Sequence, residues 1–313
     1  MCAESRSVPP SSQSAWAGAE ATRGDPASQG APGRDPGLAP GLYIVATPIG
    51  NLQDLTVRGR DTLAAADLVL CEDTRVTGKL LAAYGLDTPT WSYHEHNAES
   101  RRPAVLERLA RGAAVALVAD AGTPLVSDPG YKLVRAAREA GHPVTPIPGP
   151  SAMLAGIMAA GLPSDRFFFQ GFLPAKRKAR RDTLTELAPL AATLVMYESP
   201  QRLGASLADM AAVLGAREGV VARELTKRFE EWRSGTLAEL AEAYDGPPKG
   251  EVVVLVGPPE AAAPFTDAEI DARLAAAMST ESLRDAVDRV TEATGASRKR
   301  VYRRALALKE RRA

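Results

Sequence analysis

The residues best equipped for chemistry gather in short polar motifs, each standing directly after an apolar run. In "CEDTR" the doubled carboxylate of Glu72 and Asp73 is followed by Arg75. A carboxylate so placed can take a proton from a hydroxyl, and the neighbouring cation tunes its pKa. Asp73 is equally suited to capping a helix that runs through "RVTGKLLAAYG". Glu95 and His96 in "HEHN", Glu198 in "YES", and Glu224 with Lys227 in "RELTK" are candidates of the same kind. Each of them also fits an ion pair or a cap at a strand end. His94 and His96 occupy alternate positions of "YHEHN" and would share one face of a strand. Two His without a third ligand nearby in sequence do not make a metal site, and no metal is expected.

A second kind of signal lies in the loops. The segment 117–134, "LVADAGTPLVSDPGYKLV", follows an apolar run with two turns' worth of Gly, Pro and hydrogen-bonding side chains. Gly122 and Gly130 permit backbone shapes closed to other residues, Pro124 and Pro129 stiffen them, and Asp120, Thr123, Ser127 and Asp128 supply polar groups. "TPIGN" (47–51) and "PGPSA" (148–152) are placed in the same way after apolar runs, and Ser151 can cap the apolar helix "AMLAGIMAAG". In an open α/β sheet, ligands settle beyond the carboxyl ends of the strands, where such loops lie. Neither "GxxxxGK[ST]" nor "GxGxxG" with a following acidic residue occurs. A nucleoside without phosphates is the better match.

These loops need strands to hold them. "LYIVA", "DLVLC", "AVALVA" and "HPVTPI" alternate with helix-period segments at 99–111 and 129–141, the pattern of crossover units and a mostly parallel sheet. The pattern restarts near 164 with "RFFFQGF", "ATLVMYE", "GVVARE" and "GEVVVLVG" as strands and a helix over 200–214. Three helical patterns follow, at 266–278, 280–293 and 297–310. The expected division is an extension over 1–40, an α/β lobe over 41–162, a second lobe over 163–258 and a helical appendage over 264–313. In the first forty residues 25 are Ala, Ser, Pro or Gly, too little apolar surface to offset chain entropy, so disorder is expected there. They lack the basic start and apolar centre of a signal peptide. A chain of 313 residues exceeds what one core usually serves. Cys2 and Cys71 alone exclude a disulfide framework, and no apolar run approaches the roughly 18 residues of a membrane span. A soluble, cytoplasmic protein is expected, with Cys71 a buried, inert thiol.

The 38 basic and 38 acidic residues cancel, so a polyanion must be met by local patches. "PAKRKARR" offers Lys176, Arg177, Lys178, Arg180 and Arg181 beside the aromatic "RFFFQGF", and "SRKRVYRRALALKERR" offers Arg298, Lys299, Arg300, Arg303 and Arg304. Val301, Leu306 and Leu308 are expected to face a small core while those cations face phosphate. A solvated helix start is the competing reading for the first patch.

Taken in order, "TPIGNLQDLTVRGRDTL", "CEDTRVTGKLL", "HEHN", "VADAGTPLVSDPG", "PGPSA", "FQGFLPAKRKAR", "ESPQRL", "RELTKRFEE" and "KGEVVVLVG" resemble the bacterial small-subunit rRNA ribose methyltransferases, a branch of the tetrapyrrole (corrin/porphyrin) methylase superfamily. The resemblance runs from Leu42 to Val256, and the terminal helices are similar to that branch's helix-turn-helix piece. It implies an α/β fold of two lobes and S-adenosylmethionine held in the cleft between them. It further implies 2'-O-methylation of a cytidine in the decoding region of 16S rRNA, within the small ribosomal subunit, by a homodimer. Carried over by motif, Asp120, Ala121, Gly122, Thr123, Val126, Ser127 and Asp128 would surround the donor's methionine and ribose, with Ser151 and Ala152 beside them. Pro48, Ile49 and Gly50 of "TPIG", Gly171, Phe172 and Leu173 of "GFL", and Met196, Tyr197 and Glu198 of "MYE" would close the rest. Gln201 stands where the family is expected to have His, which weakens a proton-accepting role there. A small-molecule methyltransferase would share the donor site without needing the basic patches. A non-enzymatic protein that binds ribosomes or DNA would need only the terminal helices.

Overall fold

Strand β1 (Gly41–Val45) is buried along its whole length and pairs in parallel with β4 (Ala114–Leu117) on one side and β5 (Val144–Ile147) on the other. Strand β2 (Leu68–Cys71) pairs with β4, and β3 (Thr90–Ser92) with β2, giving the all-parallel order β3-β2-β4-β1-β5. Runs such as "LVLC" and "AVAL" are apolar on both faces because crossover helices cover such a sheet on both sides. Those helices are α1 (Val57–Ala65), α2 (Thr74–Ala83), α3 (Ala98–Ala110) and α4 (Tyr131–Glu139). Since all five strands point one way, the loops after β1, β2, β4 and β5 emerge at one edge.

The computed structural model describes residues 38–126, 130–260 and 265–312. Nearly all of the expected extension, together with Ser127 and Asp128, lies outside the described residues.

Helix α5 (Ala152–Ala159) leads into a second sheet built from β6 (Phe167–Phe172), β7 (Thr193–Glu198), β8 (Glu218–Arg223), β9 (Glu231–Thr236) and β10 (Val252–Val256). Its order is β6-β7-β10-β8-β9, parallel only between β6 and β7. One face packs Leu194, Met196, Val221 and Val254 against α6 (Arg177–Leu187), α7 (Leu203–Leu214) and α8 (Leu237–Ala243) through Leu184, Leu207 and Leu240. The opposite face presents Val195, Val220, Val253 and Leu255 to Ile49 of the first lobe and to Ala152 and Met153 of α5. Alternation along each strand thus divides the side chains between the lobe's own core and the seam with its neighbour. Each fully buried Val or Leu in that seam contributes about 1.5–3 kcal/mol.

Two strands depart from the sequence expectation. β3 is three residues long, and β9 reads "EWRSGT", with Trp232 as its one large apolar side chain, and is paired on one side only. Edge strands carry little apolar signal. "PGPSA" consequently follows the fifth strand, although "HPVTPI" is only the fourth strand-like run in the sequence.

The tail folds as α9 (Asp267–Ala277), α10 (Leu283–Thr294) and α11 (Arg298–Arg312) around Ile270, Leu274, Val287, Val290, Val301 and Ala305. A capping box between Thr266 and Glu269 starts α9, and Gly295 in the left-handed region ends α10. Leu308 packs against this core, but Leu306, expected there, is 39% exposed. It sits one residue off the buried stripe of Val301, Ala305 and Leu308. No helix among the described residues is long and apolar enough to cross a membrane.

Candidate functional site

Three of the polar loops are sewn together by backbone and threonine-hydroxyl hydrogen bonds. Thr47 and Gly122 exchange N–H···O bonds of 2.9 and 3.0 Å, and the Thr47 hydroxyl donates to the Ala119 carbonyl at 3.1 Å. The Thr123 hydroxyl in turn donates to the Pro150 carbonyl at 2.9 Å. Gly122 has φ +81°, a conformation that favours glycine. Ser151 caps α5 through the Leu154 N–H.

These loops form one wall of a cavity of about 420 Å³ between the lobes, within the usual range for a small-molecule site. The first lobe contributes Ile49, Asp120, Ala121, Gly122, Thr123 and Val126, with Ser151 and Ala152 at the start of α5. The second contributes Phe172, Tyr197, Glu198, Leu225, Glu251 and Val253. The charged residues of the described lining, Asp120, Glu198 and Glu251, are all acidic. Glu198 is paired with Arg202 and Glu251 with Lys227, so Asp120 is the lining carboxylate with no cationic side-chain partner among the described residues. An apolar cleft with one such carboxylate suits a compact ligand that carries hydroxyls, an aromatic ring and a single positive charge. A nucleoside sulfonium meets that description.

Not every residue expected at this site lines it. Pro48 and Gly50 border an adjoining cavity with Leu52, Val76, Lys79 and Asp120. Leu173 and Met196 are buried in the second lobe's own core. Their side chains face away from the cleft because their strand neighbours Phe172 and Tyr197 face toward it. Gly171 is buried at the register shift between β6 and β7. Tyr197 and Glu198, expected from "MYE", do line it, while the cleft residues Leu225, Glu251 and Val253 are not among those expected at the donor site. "RELTK" and "KGEVVV" mark their neighbourhood without saying which side chains turn inward.

The proton-accepting candidates separate clearly. Asp73 caps α2, accepting the Arg75 N–H at 2.8 Å and the Arg75 guanidinium at 2.6 Å, which hold its carboxyl at about 2. Asp73 and Arg75 thus form a helix-capping ion pair, the alternative that the sequence leaves open for Asp73. Glu72 differs. Burial, and then the negative charge of Asp120, raise its pKa, with His94 opposing them. The Asp73 N–H donates to Asp120 Oδ1 at 3.1 Å, tying the loop after β2 to the cleft. Glu198 is buried and spoken for by the Ser199 N–H, Arg202 and the Ser206 hydroxyl. Glu224 accepts from Lys227 Nζ at 2.8 Å and from the Glu251 N–H at 3.0 Å. Glu95 and His96 are exposed. The His94 and His96 ring centroids are 5.9 Å apart, and among the described residues no cluster of three or more His, Cys, Asp or Glu is placed to hold a metal.

The expected phosphate-facing cations divide as well. Arg180 is buried, donating to Asp209 at 2.6 and 2.9 Å, so it is a structural cation and not an RNA contact. Arg177 and Arg181 approach the same carboxylate at 3.2 and 3.6 Å, and Lys178 pairs with Asp182. Arg300 and Arg304 are bound to Asp267 and Asp271 of α9, and Arg298 to Asp288. Lys176, Lys299 and Arg303 are exposed.

Residues 41–241 match the family described as tetrapyrrole (corrin/porphyrin) methylases, and residues 265–309 match the RsmI C-terminal HTH domain. The chain is 51% identical over 276 residues to the ribosomal RNA small subunit methyltransferase I of Mesorhizobium japonicum, covering 87% of this chain and 94% of that protein. The chain belongs to the ribosomal RNA small subunit methyltransferase I family. Its identity to the family member from Escherichia coli O157:H7 is 44% over 269 residues, covering 85% of this chain and 94% of that protein. Among solved structures, the methyltransferase CobJ superposes with a TM-score of 0.54 at 20% identity, covering 72% of this chain and 97% of that one. Cobalt precorrin-4 methyltransferase gives 0.53 at 21%, covering 69% and 94%. At those identities the likeness is one of fold: the two lobes are common to the tetrapyrrole methylases. The methyltransferase I family adds the terminal helices.

Proposed function

We propose that this chain transfers a methyl group from S-adenosylmethionine to the ribose 2'-hydroxyl of a cytidine in the decoding region of 16S rRNA. The observation that carries the reading is an apolar cleft with Asp120 on its wall, between two methylase lobes, in a chain whose relatives are named for small-subunit rRNA. Bound there, S-adenosylmethionine supplies an electrophilic methyl on a sulfonium. Asp120, Gly122, Thr123, Ser151 and Ala152 on one wall, and Phe172, Tyr197 and Leu225 on the other, would hold it.

The chemistry is an in-line displacement: the ribose oxygen forms a bond to the methyl carbon as the carbon–sulfur bond breaks, and the hydroxyl proton departs. Most of the acceleration comes from alignment, to which the hydrogen-bonded loops and the interlobe apolar seam contribute rigidity. Glu72 is the proposed proton acceptor: its neighbour Asp73 is tied to Asp120 of the cleft through the Asp73 N–H, and burial raises the Glu72 pKa, making it a better base, a contribution of about 10² to 10⁴ in rate. Lys176, Lys299 and Arg303 are left to meet phosphates. The substrate is proposed to be the rRNA within the small subunit, in the cytoplasm, and the working form a homodimer. Leu154 and Met158, 46% and 84% exposed on one face of α5, support such self-contact.

Labelled methyl transfer to small subunits, free 16S rRNA and a porphyrinoid tests the reading. Ribose methylation leaves one phosphodiester resistant to alkali, because the 2'-oxygen can no longer attack it. Label on a porphyrinoid, or on an alkali-sensitive site, would sink the proposal.

A further inference from the structure

The loop after β8, residues 224–230, is held by more internal bonds than its length requires. Glu224 and Thr226 have φ of +53° and +65°, left-handed conformations that non-glycine residues adopt at a cost and that collect at working sites. Lys227 donates from its backbone to the Glu224 carbonyl, and Glu230 to that of Lys227. The Glu230 carboxylate accepts the Thr226 N–H at 2.7 Å and the Trp232 indole N–H at 3.0 Å. Lys227 Nζ lies between Glu224 at 2.8 Å and Glu251 at 3.0 Å. Each carboxylate of the loop is thereby engaged within it.

What this frame leaves outward is one cation and one aromatic ring. Phe229 is 67% exposed, and the Arg228 guanidinium carbon stands 5.5 Å from its ring centroid. Arg228 is itself exposed and has no carboxylate partner among the described residues. The loop also straddles the site. Leu225 lines the main cleft, while the Lys227 stem lies on Gly50, which borders the adjoining cavity. Phe229 is two residues further on, within about 7 Å of chain.

We propose that Arg228 and Phe229 form a docking element for an unpaired ribonucleotide beside the target, the ring stacking on its base and the guanidinium meeting its phosphate. Single-stranded RNA is gripped through aromatic faces because every base has a π-face, and each stack contributes about 1–3 kcal/mol. A rigid loop suits the task, since little order is lost on binding. The assignment rests on the rRNA reading above and adds the surface that presents the nucleotide.

The test measures methyl transfer to small subunits by wild type, Phe229→Ala, Phe229→Trp and Arg228→Gln. Donor affinity by calorimetry, melting temperature and elution volume accompany it. Phe229→Ala is expected to raise KM for the subunit about tenfold or more, the lower part of the range for removal of one stack. Its kcat should stay within about threefold, with donor affinity, melting and elution unchanged. Phe229→Trp should restore KM. An unchanged KM in Phe229→Ala overturns the element while leaving the rRNA reading standing. A smaller eluting species in Phe229→Ala assigns the ring to a contact between copies and also overturns it. Wild type that binds donor yet methylates no rRNA overturns both readings.

Discussion

The stem of Lys227 lies across Gly50 so closely that a β-carbon at position 50 would stand 2.3 Å from Lys227 Cγ and 3.1 Å from the Leu225 carbonyl oxygen. One lobe's "TPIG" turn and the other's "RELTK" loop thus meet through a lysine laid over a glycine. The ammonium is steadied at the far end: burial opposes its charge, but Glu224 and Glu251 outweigh burial and hold its pKa above the usual lysine value.

Gly50→Ala should therefore push Lys227 aside and open the seam between the two cavities. Donor affinity by calorimetry is expected to fall about tenfold, equal to about 1.4 kcal/mol. In Lys227→Ala the severe clash is gone and only the tighter approach to the Leu225 carbonyl remains, so the further loss from adding Gly50→Ala should be well below the tenfold that Gly50→Ala causes alone. Additive losses would show that this close approach does not couple the lobes.

Glu72 offers a prediction about pH. Burial raises its pKa first and the charge of Asp120 adds to it, so the carboxylate that accepts a proton is depleted at a higher pH than for an ordinary glutamate. The rate at saturating donor and subunit should rise with pH on the acid side, with its inflection above the ordinary glutamate value of about 4.3. Glu72→Gln should lose about 10² or more in kcat with donor affinity unchanged. Asp73→Asn, which touches a helix cap held by Arg75, should keep the wild-type pH profile. An unaltered acid limb in Glu72→Gln would remove the residue from the reaction.

Much of this arrangement is legible in the amino-acid order, and the illegible part has physical reasons. The strand runs from "LYIVA" to "AVAL" announce a covered parallel sheet because both faces must be apolar, and Gly122, Thr123 and Ser151 announce loops at its edge. Strand β9 escapes because an edge strand has one paired side and solvent on the other. Arg180 reads as one more surface cation in "KRKARR", since its partner Asp209 is 29 residues away on α7 and only packing α6 on α7 reveals the pair. The same holds for Arg300 and Arg304, whose aspartates lie 33 residues upstream on α9. Charge counting finds cations; it does not find which are already neutralised.

The Arg180–Asp209 pair carries its own prediction. Burial would raise the Asp209 pKa, but hydrogen bonds from Arg180 and Arg177 outweigh burial and lower it. For a carboxyl depressed in the folded state, the stabilisation is present above the unfolded value of about 3.8–3.9 and is lost as pH falls through the folded one. Asp209→Ala strands Arg180, 5% exposed, without a counter-charge and should cost about 3 kcal/mol near neutral pH. That penalty should shrink toward acid, where wild type loses the same interaction. Denaturant melts at neutral pH and near pH 3 measure it, and a penalty independent of pH would refute the assignment.

The terminal helix separates ion-paired from exposed cations within one turn. Lys299, Tyr302, Arg303 and Leu306 recur at positions one, four, five and eight of a single stripe, and all are exposed. Arg300 and Arg304 point the other way, into Asp267 and Asp271. Neutralising Lys299 and Arg303 together should weaken binding to rRNA in any sequence. It should also flatten the dependence of log K on log salt, by about 0.7 for each single-strand phosphate that is no longer neutralised. Arg304→Gln removes no free charge from that stripe but loosens α11 from α9, so it should lower the melting temperature of the tail and leave the salt slope near the wild-type value. Binding titrations at a series of salt concentrations read the first effect, and thermal melts the second. If Arg304→Gln flattens the slope as much as Arg303→Gln does, the ion pairs with α9 open on RNA binding and the division between the two faces fails.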